Sequence, residues 1–282
     1  MRKAVFILFF IFLFSPVFFV FAQEPIKILL VPGHDDESWG AQYGDIKETN
    51  MTLALAAKIY DLLKKDERFE VYITRDNAGY KKEFADYFSS RREDISAFKK
   101  NAKIEMLQKI LDGVFIKKIN PPHSSVSEDV SIKLYGLNKW ANENAVDAVI
   151  HIHFNDYPRK DKWTIGKYTG FAIYFPDEEL VNSKESSQLA IDIFTQLRKK
   201  YKTSTYEKEL GGLIPDQKLI ALGSNGTLFP NVRSVLIEYG YIYDKKFRTS
   251  SARLQAYKNM ANLTMQGINN YFFNSPHPKP SP

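Results

Sequence analysis

Residues able to bind a metal ion stand at the ends of predicted strands and at the start of a predicted helix. His34 ends the segment Val31-Pro32-Gly33-His34, Glu48 begins a helical pattern, and His153 ends the run His151-Ile152-His153. Two imidazoles and one carboxylate are the ligand set of a catalytic zinc site that leaves a fourth position for water. Because the chain contains no cysteine, a metal site must be built from His, Asp and Glu. The pattern indicates a metallohydrolase with Zn²⁺ as its cofactor.

A carboxylate suited to proton transfer follows a late apolar run. Glu238 comes directly after Val235-Leu236-Ile237 and precedes Tyr239-Gly240. A carboxylate in this position is costly to bury unless it is paired or used in chemistry. As a general base, Glu238 would take a proton from zinc-bound water and pass it to a leaving amine. We therefore expect Glu238 to be the catalytic residue.

The two histidines of the run His151-Ile152-His153 are expected on the same face of a strand, because side chains repeat there with period two. Only one of them is needed to complete the ligand set. We choose His153, which lies closer to the strand end and is followed by Asn155. His151 would then lie behind the ligands or face the substrate, and a ligand exchange between the two histidines stays open.

The hydrophobic pattern predicts alternating strands and helices. Strands are predicted over residues 26–31, 69–74, 146–153, 170–175 and 234–238, and helices over residues 48–63, 187–200 and 253–271. This alternation predicts an α/β fold, a three-layer sandwich with a mostly parallel central sheet flanked by helices. Sites in such sheets lie outside the carboxyl ends of the strands. His34, His153 and Glu238 each end a predicted strand, so we expect them to meet at one edge of the sheet.

The chain is predicted to contain one catalytic domain between two terminal segments. Residues 1–22 combine a basic start, an apolar run and a small residue before Gln23, which is the pattern of a signal peptide. The apolar run is long, so an uncleaved membrane anchor stays open as an alternative. Residues 23–273 form the expected domain, with a charged helical insertion at 79–130 beside or over the site. Residues 274–282 are proline-rich and predicted to be disordered.

The charge of the chain suits an exported protein that meets an anionic partner. The formal net charge is +6, and Arg2 and Lys3 of the predicted signal peptide contribute two of these charges. Such a mild excess is compatible with a cell-wall polymer or a membrane surface, or with no particular partner. No motif of a nucleic-acid-binding protein is apparent. We expect a periplasmic or cell-wall-associated protein that touches a membrane only if the signal segment is uncleaved.

The motifs and their order resemble the zinc-dependent N-acetylmuramoyl-L-alanine amidases that cleave bacterial peptidoglycan. The matching residues are Pro32-Gly33-His34, Gly40-Ala41, Glu48, Thr74-Arg75, Ala141-Asn142, Ile152-His153-Phe154-Asn155 and Glu238-Tyr239-Gly240-Tyr241. The resemblance covers most of the chain from residue 26 to residue 271.

The resemblance implies hydrolysis of the amide bond between the lactyl group of muramic acid and L-alanine, with peptidoglycan or muropeptides as substrate. It implies His34, Glu48 and His153 as zinc ligands and Glu238 as the catalytic glutamate. The remaining site candidates, expected behind the ligands or facing the substrate, are His151, Asn155, Asp36 and Arg75. The sequence does not indicate whether a protein activator is needed.

The chain departs from the family pattern at three places near the expected site. Asp35 and Asp36 stand where the family usually has two glycines after the first histidine. His151 replaces a serine, and Leu137 replaces an arginine ahead of the Ala-Asn pair. These departures concern the surroundings of the metal ligands, so they bear on substrate details.

Two alternative functions stay open at the level of sequence. The segment Gly33-His34-Asp35-Asp36-Glu37 also looks like the His-Pro-Asp-Asp-Glu turn of zinc-dependent sugar N-deacetylases, in which the aspartate is a metal ligand. That interpretation leaves Glu48 and Glu238 without a role. The other alternative is a non-catalytic wall-binding or regulatory protein on an amidase-like fold, because a fold does not dictate activity.

Overall fold

The computed structural model describes residues 24–35, 37–77, 79–118 and 126–274. The predicted signal peptide (1–22), Asp36 and the proline-rich tail from residue 275 onward lie outside these residues. Among the residues described, no helix has the length and apolar character needed to cross a membrane.

Ten β-strands and six α-helices form the described chain. In chain order they are β1 (Ile26–Pro32), β2 (Gln42–Tyr43), β3 (Ile46–Lys47), α1 (Glu48–Leu63), β4 (Phe69–Ile73), β5 (Arg75–Asp76), β6 (Gly79–Tyr80), α2 (Lys82–Ser90), α3 (Arg92–Leu111), α4 (Glu128–Glu143), β7 (Ala148–Asn155), β8 (Ala172–Pro176), α5 (Ser183–Leu197), β9 (Leu213–Asp216), β10 (Arg233–Tyr241) and α6 (Ser250–Asn269). The strands β2 and β3 pair as a short hairpin, as do β5 and β6.

Six strands form one mixed sheet in the order β4-β1-β7-β10-β8-β9. The first four are parallel to one another, β8 is antiparallel to β10, and β9 is parallel to β8. The prediction of a mostly parallel sheet is confirmed, with two reversed strands at one edge. The sequence pattern did not predict β9, whose four residues include Pro215. Proline is tolerated on such an edge strand because its missing N–H leaves no central hydrogen bond broken.

Helices cover both faces of the sheet and produce the predicted three layers. Alternate residues of β1 face opposite sides: Ile28 and Leu30 join the core beneath α1, α5 and α6, whereas Leu29 and Val31 join the core beneath α2, α3 and α4. A strand buried on both faces must be apolar throughout, which explains the continuous apolar run from residue 26 to residue 31.

The segment predicted as a helical insertion contains α2 and α3. Phe84 and Phe88 of α2 and Ile95 of α3 are buried in the same core as α4. Helix α3 also packs against the turn Ser224–Gly226. The segment therefore extends one helical layer of the domain, and its described residues Tyr80, Val126 and Val130 line a cavity beside His34 and His153.

The buried face of α1 provides a test of this packing. Leu55 on α1 is fully buried, and Leu254 on α6 is 58% exposed. Leu55→Ala should lower the free energy of unfolding by about 2–5 kcal/mol, because it opens a cavity between α1 and the sheet. The matched Leu254→Ala should change it by no more than about 0.5 kcal/mol. Equal effects of the two substitutions in urea unfolding would contradict the described packing.

Candidate metal centre and active site

The parallel register of β1, β7 and β10 brings the site residues to one edge of the sheet. Val31 pairs with His151, and Glu238 pairs with His153. The chain leaves β1 at Gly33, whose N–H donates to the carbonyl of Ile152 at 2.9 Å. His34 therefore lies directly beside the end of β7, as the fold prediction requires.

The structure brings together the side chains of His34, Glu48 and His153. One ligand atom from each residue lies within 4.8 Å of the other two. Nε2 of His34 is 3.1 Å from Oε2 of Glu48, and Nδ1 of His153 is 3.2 Å from Oε1 of the same carboxylate. Glu48 thus stands between the two imidazoles and faces each with a different oxygen.

The carboxylate of Glu48 is held in place by the main chain. Glu48 is the first residue of α1 and is only 4% exposed. Its Oε2 accepts a hydrogen bond from the N–H of Ala41 at 2.8 Å, and its Oε1 accepts one from the N–H of Phe154 at 3.0 Å. These two bonds fix the carboxylate against both the loop after β1 and the end of β7.

The electrostatics of the cluster are those of a buried carboxylate with two imidazole partners. Burial by itself raises the pKa of Glu48, but hydrogen bonds to His153 and His34 outweigh burial and hold the pKa below its usual range. Burial lowers the pKa of both histidines. For His34 the bond to Glu48 and the charges of Glu48 and Asp35 reverse the effect and raise its pKa, whereas the pKa of His153 stays lowered. Without a metal the cluster therefore favours an ionised Glu48 and a neutral His153 but a protonated His34, and a bound metal would have to displace the proton of His34.

Two glycines allow the ligands to approach the backbone closely. A Cβ atom on Gly33 would overlap the ring of His153, and a Cβ on Gly40 would overlap the carboxylate of Glu48. His34 itself adopts a left-handed backbone conformation, with φ of 63°. Such a conformation is uncommon outside glycine and persists only where the surroundings require it.

Arg75 lies behind the metal-ligand cluster and supports its backbone. Its guanidinium donates to the carbonyls of Gly33 at 3.1 Å and Thr49 at 2.7 Å and to the hydroxyl of Thr52 at 3.0 Å. The same group thereby ties the loop before His34 to the first turn of α1. Arg75 is 4% exposed, and these bonds hold it against the backbone around the cluster.

Glu238 lies on β10 beside His153 and has an unsatisfied oxygen. Its Oε2 is buried and has no hydrogen-bond partner among the residues described. Burial, together with the nearby charges of Glu48 and Glu209, raises the pKa of Glu238 well above its ordinary value. A carboxyl group in this condition can take up and hold a proton near neutral pH.

Sequence reasoning missed Glu209, a second buried carboxylate near Glu238. Its Oε1 accepts hydrogen bonds from the amide of Asn155 and the hydroxyl of Tyr174, both at 2.7 Å. Its Oε2 accepts from the hydroxyls of Ser204 at 2.5 Å and Tyr241 at 3.2 Å. Glu209 lies in the polar run Tyr206–Leu210, where nothing in the sequence marks it as buried. The predicted candidate Asn155 therefore serves this network rather than the ligand cluster.

His151 lies on the same face of β7 as His153 but outside the ligand cluster. It is 1% exposed, and its Nε2 has no hydrogen-bond partner within the described chain. Burial and the neighbouring His153 lower the pKa of His151 to about 3, so its ring is neutral. Its ring lines a cavity beside the cluster.

Asp35 follows His34 but turns away from the cluster. Its carboxylate accepts hydrogen bonds from the N–H of Ser38 at 2.9 Å and from Nζ of Lys133 at 2.9 Å. Burial would raise the pKa of Asp35, but the bonds to Lys133 and Ser38 lower it overall. Asp35 thus shapes the loop after β1 and joins it to α4.

Solved structures of amidases share this fold. The N-acetylmuramoyl-L-alanine amidase from Clostridium difficile 630 aligns with a TM-score of 0.54 at 15% identity and covers 90% of this chain and 100% of that chain. CwlD from Clostridioides difficile, in complex with the GerS lipoprotein, aligns with a TM-score of 0.56 at 18% identity, and the alignment covers 89% of this chain and 100% of CwlD. Ami1 from Mycobacterium smegmatis aligns with a TM-score of 0.53 at 18% identity, and the alignment covers 89% of this chain and 99% of Ami1. At these identities the likeness establishes the fold alone.

A family model provides the assignment that structural likeness does not. A comparison with curated proteins finds no match. The model described as N-acetylmuramoyl-L-alanine amidase matches residues 28–270, which include the whole ligand cluster and Glu238. The resemblance seen in the motifs is thereby confirmed, and the chain belongs to the N-acetylmuramoyl-L-alanine amidase family.

Proposed function

We propose that the protein is a zinc-dependent hydrolase of the amide bond between N-acetylmuramic acid and L-alanine in peptidoglycan. His34, Glu48 and His153 would hold the zinc ion, and Glu238 would act as the general base. The family membership supports the reaction. The observation that carries the metal assignment is the cluster of three ligand atoms within 4.8 Å, beside Glu238 on the adjacent strand.

The ligand cluster fits a zinc ion in both chemistry and spacing. Histidine nitrogen and carboxylate oxygen bind zinc at about 2.0–2.2 Å, so two ligands in a tetrahedral site lie roughly 3.4 Å apart. The separations of 3.1 Å and 3.2 Å between the histidines and Glu48 involve its two different oxygens, and one ligand atom from each of the three residues lies within 4.8 Å of the other two, so the cluster is small enough to surround one ion. Three protein ligands leave one position open, which is the arrangement of a catalytic rather than a structural zinc site.

The chemistry of the chain's own residues completes the proposed reaction. When bound, zinc supplies a Lewis acid that polarises a carbonyl group and makes water more acidic. Glu238 takes the proton of the attacking water and later gives it to the departing nitrogen of L-alanine. Burial favours the protonated form of Glu238, so the carboxyl group would hold the proton between these two steps, whereas the positive charge of zinc in the neighbouring cluster would favour the ionised form that accepts it.

We also propose that the protein is exported and acts in the periplasm or at the cell wall, where peptidoglycan lies. Residues 1–22 would be the signal peptide, residues 23–273 the catalytic domain with its helical insertion at 79–130, and residues 274–282 a proline-rich tail. A protein partner is a further hypothesis, supported by the complex of CwlD with the GerS lipoprotein.

The central prediction concerns the bond that is cut. The zinc-loaded protein should release stem peptides with a free L-alanine amino group from purified peptidoglycan, as detected by mass spectrometry. Glu238→Gln cannot accept a proton, so its turnover should fall about 10²–10⁴-fold while its zinc content is unchanged. Glu105→Gln, an exposed position on α3, is the matched control and should be fully active. A fully active Glu238→Gln variant would refute the assigned base, and release of acetate instead of peptides would identify a sugar N-deacetylase.

A second prediction separates the two candidate ligand sets. Glu48→Ala removes a ligand from the cluster and should weaken zinc binding by more than about 100-fold in competition with a chromogenic chelator. Asp36→Ala should leave zinc affinity unchanged, because Asp36 has no part in the proposed set. The deacetylase interpretation requires the reverse order of effects. Melting temperatures of both variants show whether a loss of zinc reflects the ligand or the fold.

A third prediction tests the raised pKa of Glu238 in the metal-free protein. Below the ordinary pKa of 4.5, folded and unfolded chains both hold the proton on this carboxyl group. Above it, the unfolded chain releases the proton while the folded chain retains it, so the wild type loses stability as the pH rises. The melting temperature of Glu238→Gln relative to wild type should therefore increase as the pH rises above about 4.5. A difference that does not vary with pH would show that the pKa of Glu238 is ordinary.

A further inference from the structure

A cavity of about 390 Å³ extends from the metal centre between the central sheet and α4. The rings of His34 and His153 line it at the ligand cluster, and His151 lines it two residues further back along β7. The rest of its wall is largely apolar and includes Val130, Leu134, Leu137, Ala221 and Leu236. The cavity has the size and character of a pocket for part of a small-molecule ligand.

Among the described residues that line the cavity, only His151 has a buried side-chain polar atom without a hydrogen-bond partner, its Nε2. Buried polar atoms are normally hydrogen-bonded, and leaving one unpaired costs stability. Two lysines also line the cavity. Lys133 in its wall is already bonded to Asp35 and Glu37, and Lys218 is exposed to solvent. The wall therefore favours a neutral, mostly apolar group with one hydrogen-bonding function.

We propose that this cavity binds the acetamido group at C2 of the muramic acid residue whose lactyl amide is cut. The amide of that group would hydrogen-bond to Nε2 of His151, and its methyl group would pack against Leu134 and Leu137. An acetamido group offers both a donor and an acceptor, so it satisfies the imidazole nitrogen in either tautomer. The proposal rests on the function proposed above and names a substrate group that the site recognises.

The covalent structure of the substrate agrees with this placement. Five bonds separate the scissile carbonyl carbon from the acetamido nitrogen of N-acetylmuramic acid, a reach of about 6 Å when extended. Two residues along a strand span about 7 Å. A carbonyl group held at the cluster beside His153 therefore brings the acetamido group near His151. The cavity is larger than an acetamido group alone, so the adjoining edge of the sugar ring enters with it.

Binding of N-acetylmuramic acid tests the proposal without any turnover. Its affinity for the zinc-loaded protein is compared by calorimetry with that of the analogue carrying a hydroxyl group at C2. The wild type should prefer the acetamido sugar by about tenfold, because the analogue leaves Nε2 poorly paired and the apolar wall unfilled. His151→Leu should abolish this preference, and His151→Gln, whose amide reaches a similar position, should retain part of it. Equal affinities in the wild type, or an unchanged preference in His151→Leu, would overturn the proposal.

Two further variants separate recognition from folding. His151→Leu removes an unpaired buried nitrogen, so its melting temperature should equal or exceed that of the wild type, whereas a purely structural histidine predicts a decrease. Leu134→Trp should fill the cavity and abolish the preference. Leu254→Trp on the exposed side of α6 is its matched control and should leave the preference unchanged. A preference for the acetamido sugar without hydrolysis of peptidoglycan would support the proposed pocket and refute the proposed enzymatic function. Hydrolysis without this preference would support the enzymatic function and refute the pocket.

Discussion

The site depends on one buried carboxylate that must remain charged. Glu48 is almost completely enclosed, and an ionised group in such surroundings is tolerated only when its oxygens are fully hydrogen-bonded. Two main-chain N–H groups, from Ala41 and Phe154, and two imidazoles provide those partners. Because the partners come from the loop after β1 and from the end of β7, the carboxylate can be stable only when these parts of the chain are assembled. The geometry of the cluster of His34, Glu48 and His153 and the closure of the fold are therefore one constraint.

The register of the parallel sheet aligns the residues of the site with one another. A shift of one residue in β7 relative to its neighbours would turn His153 away from Glu238 to the opposite face, where α1, α5 and α6 pack. The apolar residues between them, such as Ile152 and Ile237, prevent the shift because they would lose their buried positions. Arg75 completes the frame from behind by joining the carbonyls of Gly33 and Thr49. The hydrophobic core thus holds the register that aligns the polar site.

Much of this arrangement can be predicted from the sequence, because strand alternation and strand ends are local signals. The period of two placed His151 and His153 on one face, and the end of each apolar run placed His34 and Glu238 at one edge. Features that depend on contacts between residues far apart in the sequence could not be predicted. Glu209 looks like a surface residue until four donors from other elements surround it. The partners of Asn155 and Arg75 and the cavity beside α4 likewise exist only after the layers pack.

The distribution of unsatisfied polar atoms shows which side of the fold is built to meet a ligand. Five buried side-chain atoms lack a hydrogen-bond partner among the residues described, and they belong to Thr49, Thr74, His151, Glu238 and Tyr243. Two belong to candidate site residues, and two more to the neighbours of Glu48 and Arg75. Each such atom costs about 1–3 kcal/mol of stability. Favourable interactions elsewhere in the fold offset this loss of stability. A ligand that supplies the missing hydrogen-bond partner removes the loss. His151 and Glu238 face the same side of adjacent strands, which is the side on which the proposed substrate would bind.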